Sequence, residues 1–183
     1  VVELSGEGID LVHSTANYQL AVGAENLLLL GSANLAGAGN AGINVITGNS
    51  GSNTLNGIGG GDTLIGGGGG DTYFVNTASD VIVESSAGGA DRLEVLLQSY
   101  TLVSANVEVL HRFNGDNGEL VGAGGRETLI GNSGADILRG QGDNDTLQGL
   151  NGADILFGGT GNDILEGGAN NDIFALVAGD GAD

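Results

Sequence analysis

Residues 122–175 read GAGGRETLI (from Gly122), GNSGADILR (Gly131), GQGDNDTLQ (Gly140), GLNGADILF (Gly149), GGTGNDILE (Gly158) and GGANNDIFA (Gly167). These are six contiguous nonapeptides in one register. Position one is Gly in all six; position six is Glu127, Asp136, Asp145, Asp154, Asp163 and Asp172; position eight is Leu129, Leu138, Leu147, Leu156, Leu165 and Phe174. A shorter array precedes them: GNAGINVIT (Gly39), GNSGSNTLN (Gly48), GIGGGDTLI (Gly57) and GGGGGDTYF (Gly66), with Asn44, Asn53, Asp62 and Asp71 at position six. A fixed period of this length marks a repeat architecture rather than a closed globule. Each unit has a Gly-rich stretch that turns the chain, because Gly adopts positive φ cheaply. Three residues then alternate with one apolar side chain facing inward, which makes a minimal strand. Two nonapeptides make one coil, and stacked coils make a flattened solenoid of parallel strands.

A second, longer repeat lies above the first. Glu25, Gly39 and Gly48 recur as Glu108, Gly122 and Gly131, each 83 residues on, and Tyr18-Gln19-Leu20 resembles Tyr100-Thr101-Leu102. GEGID (6–10) resembles GGAD (88–91), and GDGAD (179–183) resembles both. This predicts two tandem modules. The first covers 1–83, with spacer strands 1–38, an array 39–74 and a tail to 83. The second covers 84–183, with spacer strands 84–121, an array 122–175 and the start of a third copy from 176. The opening on Val1 adds the expectation of a piece of a longer repeat protein. In the spacers, 80–84, 93–97 and 107–110 read as short strands that continue the solenoid; a capping or linking role is the alternative reading.

Composition narrows the chemistry. Of 183 residues, 38 are Gly and none is Cys, so disulfides, zinc-thiolate centres and cysteine nucleophiles are excluded. The formal net charge of −19 repels phosphate backbones, so no nucleic-acid partner is expected. No apolar run is long enough to span a membrane; the longest, 27–30, is strand-sized. One buried Leu cannot offset the backbone entropy of nine ordered residues, about 1–2 kcal/mol each. Stacked rows of Asp at position six repel one another and worsen the deficit. A divalent cation between successive turns removes that repulsion and adds coordination. Carboxylate and carbonyl oxygens are hard ligands that suit Ca²⁺ at six to eight coordination better than the tighter octahedron of Mg²⁺.

With these residues in view, the chain resembles the RTX (repeats-in-toxin, haemolysin-type) calcium-binding family, whose nonapeptide is G-G-x-G-x-D-x-U-x with U large and apolar. GGTGNDILE matches at every fixed position, and the matching units, 39–74 and 122–175, span about half the chain. The resemblance implies an all-β, right-handed parallel β-roll holding several Ca²⁺ ions between turns. Carried over by position, it pairs Asp136 with Asp154, Asp145 with Asp163, and Asp154 with Asp172, so that Asp154 bridges two ions. Glu127/Asp145 is a weaker pair. Asn44/Asp62 and Asn53/Asp71 have each lost a charge and should bind more weakly, or stack Asn side chains without metal. Turns ending at Asp10, Asp91 and Asp183 are further candidates. Asp143 and Asn170 depart from Gly at position four and bring the geometry of those two turns into question.

The resemblance further implies a module secreted from a Gram-negative bacterium by a type I system and folding on extracellular or cell-surface Ca²⁺. Structural or adhesive service in a large surface protein is one role. The alternative is an accessory module of an exported protease, lipase, alginate-modifying enzyme or toxin whose catalytic domain lies outside this stretch. The family's C-terminal secretion signal has no counterpart in this sequence, so the stretch is expected to lack its own export address. Neighbouring domains of a larger protein are the expected partners besides Ca²⁺.

Sharper chemistry fares poorly. GAGNAG (37–42) matches a dinucleotide fingerprint, but no helix pattern follows it. Asp143-Asn144-Asp145 resembles the start of an EF-hand, yet Leu147 stands where a ligand is required. His13 and His111 lack metal-ligand partners at helical spacing and read as strand-face residues. General bases and cations are scarce, so the stretch itself is not expected to be an enzyme. Position three of the long array (Gly124, Ser133, Gly142, Asn151, Thr160, Ala169) is too broken for the flat Thr/Asn row that ice binding requires.

Overall fold

Position eight organises the interior. Ile46, Leu55, Leu64, Tyr73, Leu129, Leu138, Leu147 and Leu156 are all fully buried, one from each of the first eight of the ten nonapeptides. Residues on either side of each one point outward, as the pleat requires. In the computed structural model, residues 8–86, 88–104 and 106–176 are described. GDGAD and Asp183 lie outside them. Among the described residues every regular element is a strand, and no helix is long and apolar enough to cross a membrane.

The chain forms two compact units, 1–92 and 93–183. In the first, β1 (Leu11–Ser14), β3 (Asn26–Leu29), β5 (Val45–Thr47), β7 (Thr63–Ile65) and β9 (Val81–Val83) stack in that order as one parallel sheet. The second sheet holds β2 (Tyr18–Gln19), β4 (Ala36–Ala38), β6 (Thr54–Asn56) and β8 (Thr72–Val75). Between them lies a thin aliphatic layer that includes Leu27, Leu29, Ile46, Leu55 and Leu64.

The second unit repeats the plan. One sheet runs β10 (Arg92–Val95), β12 (Val109–Arg112), β14 (Thr128–Ile130), β16 (Thr146–Asn151) and β18 (Ile164–Ala169). The other runs β11 (Ser99–Thr101), β13 (Gly118–Val121), β15 (Asp136–Gly142), β17 (Ile155–Thr160) and β19 (Ile173–Phe174). The spacers therefore do form parallel strands in these sheets.

Register shows the coil directly. Leu138 pairs with Leu156, Leu147 with Leu165 and Leu64 with Ile82, so each strand meets the one two nonapeptides on. In the spacers the coil length changes: Val12 pairs with Leu27, Leu27 with Ile46, and Tyr100 with Leu120. Glu25 and Glu108, matched in sequence across 83 residues, occupy matching places: their carbonyls accept the N–H of Val45 and of Thr128. Strands β15 to β18 are longer than the three residues expected. Their ladders continue into the turns, with Gln141 opposite Gly159 and Leu150 opposite Gly168. On the last described coil Leu165 is half-buried and Phe174 exposed, since no described coil covers them.

Candidate metal centre

Position six builds a ladder along each edge of the stack. The backbone N–H of one position-six residue donates to Oδ1 of the next, one coil on. In the first unit Asn44 donates to Asp62 (2.8 Å), Asn53 to Asp71 (2.6 Å), Asp62 to Asp80 (3.1 Å) and Asp71 to Asp91 (2.7 Å). In the second, Glu127 donates to Asp145 (2.8 Å), Asp136 to Asp154 (2.7 Å), Asp145 to Asp163 (2.8 Å) and Asp154 to Asp172 (3.0 Å). Most of these carboxylates are buried; Asp172 is half-buried. Position one is Gly for lack of space rather than for its φ. A Cβ on Gly140, Gly149, Gly158 or Gly167 would collide with the carboxylate of Asp145, Asp154, Asp163 or Asp172 in its own repeat.

All but one of the array turns fall into two classes. In the first, positions two and four both have positive φ: Ile58/Gly60, Gly67/Gly69, Gln141/Asp143, Leu150/Gly152, Gly159/Gly161 and Gly168/Asn170. Asp143 (φ 68°) and Asn170 (φ 85°) thus keep the left-handed conformation that Gly has elsewhere at position four, which Asp and Asn tolerate better than other side chains. In this class Oδ2 of Asp62, Asp71, Asp145 and Asp154 is buried and accepts no hydrogen bond.

The second class carries Asn at position two, and there neither position has positive φ. Asn40 donates its amide to the carbonyls of Ala21 (2.8 Å) and Ala24 (2.7 Å) and accepts the N–H of Gly42 (2.8 Å). Asn49 does the same with Leu30, Ala33 and Gly51, and Asn132 with Asn114, Asp116 and Gly134. The N–H of each of these Asn residues then caps the position-six side chain of its own repeat: Asn44, Asn53 and Asp136. Asp136 is occupied on its other oxygen too, by Gly118 N–H and by the fully buried Arg112, whose Nε lies 3.2 Å away. Glu127 belongs to neither class; it is buried and its Oε2 accepts no hydrogen bond.

Electrostatics follow the burial. Loss of solvent pushes the Asp145 carboxyl up to about 6, and the nearby Asp163 and Asp143 charges add to it. Burial also lifts Asp71 to about 6, with Asp91 contributing, and Glu127 to about 7, with Asp145 contributing. Asp62, Asp136 and Asp154 are raised chiefly by burial as well. An oriented row of buried, mutually repelling oxygen donors with spare lone pairs is what a hard cation neutralises. The oxygens left without hydrogen bonds in these turns are carboxylate oxygens, with no sulfur or imidazole among them. The site therefore fits Ca²⁺.

Sequence reasoning passed over several residues here. VNTASDVIV (75–83) is a further nonapeptide without glycines. Its Asp80 stands nine residues after Asp71, and Ile82 pairs with Leu64 in the core. That count was the available signal. Asp80 is satisfied within its turn, by Asn76 N–H, Thr77 N–H and the Thr77 hydroxyl. Glu25 takes the position-six place in the spacer and accepts Asp10 N–H at 2.9 Å, while Oδ2 of Asp10 accepts nothing. Arg112 had no signal beyond being one of four arginines. His111 lies on β12 with its Nδ1 2.6 Å from Glu94, and His13 lies on β1.

Fold and turns together define a parallel β-solenoid whose turns carry rows of buried carboxylates. The sequence pattern of the RTX calcium-binding nonapeptide repeat matches four stretches, residues 38–73 and the mutually overlapping 121–156, 140–174 and 148–183, together more than half of the chain. The chain belongs to that family and is a calcium-binding module of the RTX type. A comparison with curated proteins gives no match.

Proposed function

We propose that this chain is a calcium-triggered folding module of a secreted bacterial protein, exported unfolded by a type I system and ordered by Ca²⁺ outside the cell. The observation that carries the reading is the set of buried Oδ2 atoms without donors on Asp62, Asp71, Asp145 and Asp154, each in a turn with two left-handed residues. These turns, with Asp163 and Asp172 in the same class, would hold the ions. The Asn40, Asn49 and Asn132 turns instead place an amide NH₂ against the carbonyls of the preceding coil. There the side chain would stand in for a cation. On this reading Asn44, Asn53 and Asp136 serve the ladder rather than metal.

Sites of the extracellular class bind with dissociation constants of about 10⁻⁴–10⁻³ M, so they stay empty in a cytosol and fill outside it. Binding to the folded state alone then supplies the folding free energy by mass action. The chain itself is taken to be non-catalytic, because its carboxylates are fixed by backbone N–H groups inside turns; any catalytic domain would lie in the parent protein. In circular dichroism the chain should be largely unstructured in chelator and β-rich in millimolar Ca²⁺. An identical β-rich spectrum after exhaustive chelation would overturn the proposal.

A further inference from the structure

We propose that Asp71, Glu84 and Asp91 form an additional hard-cation site, one that the nonapeptide rule does not describe. It rests on the calcium-binding reading of the neighbouring turns and adds to it a ligand from outside the repeat. Counting nine from Val75 puts Glu84 where a position-one glycine belongs, and Asp91 follows seven residues later rather than five. The larger loop brings the Glu84 carboxylate over the turn below. One oxygen from each of the three carboxylates lies within 4.8 Å of the others.

Two further observations point into that spot. Asp71 is 1% exposed, and its Oδ2 accepts no hydrogen bond. Gly66 shows where this oxygen is aimed: a Cβ there would strike Asp71 Oδ2, Glu84 Oε1 and the Tyr73 hydroxyl together. Three oxygens thus converge on one point beside a backbone that only Gly permits. Tyr73 occupies the position-eight core place that is aliphatic in every other repeat before it, and its hydroxyl donates to Glu84. Glu84 is half-buried, which leaves the site a way in for an ion. Three carboxylates and a phenol are hard donors of high charge. Charge count raises calcium affinity, so this site should be the tightest of its unit.

Tyr73 supplies the test. Tb³⁺ is a hard, calcium-like ion that emits when an adjacent tyrosine absorbs, and the chain has no Trp to compete. The full chain should show tyrosine-sensitised Tb³⁺ emission that Ca²⁺ displaces. Tyr73→Phe should remove most of that emission, although Tyr18 and Tyr100 remain. Glu84→Gln, nearly isosteric, should weaken Tb³⁺ binding at this site by at least roughly tenfold. Both variants should keep the Ca²⁺-induced change in circular dichroism. If that change persists while emission ignores both substitutions, this site is overturned and the folding module stands. If neither Ca²⁺ nor Tb³⁺ orders the chain, both are overturned.

Discussion

Ile58 and Leu150 stand at position two with φ of 76° each, a conformation that costs a bulky side chain about 1–3 kcal/mol. Ile58 is β-branched, so the strain falls hardest there. Ile58→Gly relieves it and should lower the Ca²⁺ midpoint of the folding transition, by a stabilisation of about 1 kcal/mol after the entropy cost of Gly. A raised midpoint in a calcium titration would contradict the strain. Arg112 is the opposite case, a charge the fold depends on. It is fully buried against Asp136 and also donates to the carbonyls of Leu97, Gln98 and Asp116. Arg112→Met would strand a buried carboxylate and should cost about 3–5 kcal/mol. Adding Asp136→Asn should recover part of that loss. Denaturant melts of the single and double variants in saturating Ca²⁺ measure the difference.

At the scale of the turn, Asn and left-handed classes solve one problem by different chemistry. Carbonyls of the coil below must meet a positive or hydrogen-bearing partner. Asn132 brings its own, an NH₂ shared between Asn114 and Asp116. Asn132→Ala should therefore destabilise the long array by about 1–3 kcal/mol, since two acceptors lose their donor. Because no ion is involved, the loss should persist at saturating Ca²⁺; full rescue by added Ca²⁺ would refute the substitution of amide for ion. Strands and core were legible from the nine-residue count, since position eight alone sets which side chain is buried. The position-six row was legible for the same reason. The division into two turn classes was not, because it depends on whether position two is Asn, and the glycine-based pattern treats that position as fixed. Asp80 escaped because its turn is closed by Thr77 instead of glycine. Glu84 escaped because a two-residue insertion breaks the count, and only the folded loop returns its carboxylate to Asp71.

For the whole molecule, charge is the controlling quantity. Burial raises Asp71 and Asp145 to about 6 and Glu127 to about 7, from ordinary values of 3.8 and 4.5. The folded chain thus holds protons that the unfolded chain has already released. Stability from these groups is fully present below about pH 4 and is lost as pH rises through about 6 to 7. The net charge of −19 acts in the same direction. Metal-stripped protein should accordingly gain β-structure as pH falls from about 8 to about 5. Circular dichroism that loses β-signal on mild acidification would count against it.

On the proposed reading, the asparagine turns would also order events in time. Asn40 and Asn49 follow one another in the first unit, on consecutive repeats, and each is knitted to the coil beneath it without help from the medium. A polypeptide emerging into a calcium-rich environment would find in residues 39–56 a ready-made platform. The turns at Asp62 and Asp71, which on that reading take ions, come directly after it and could click into place above it one coil at a time. Such a seed would spare the growing stack the slowest step of any one-dimensional assembly, the creation of its first layer.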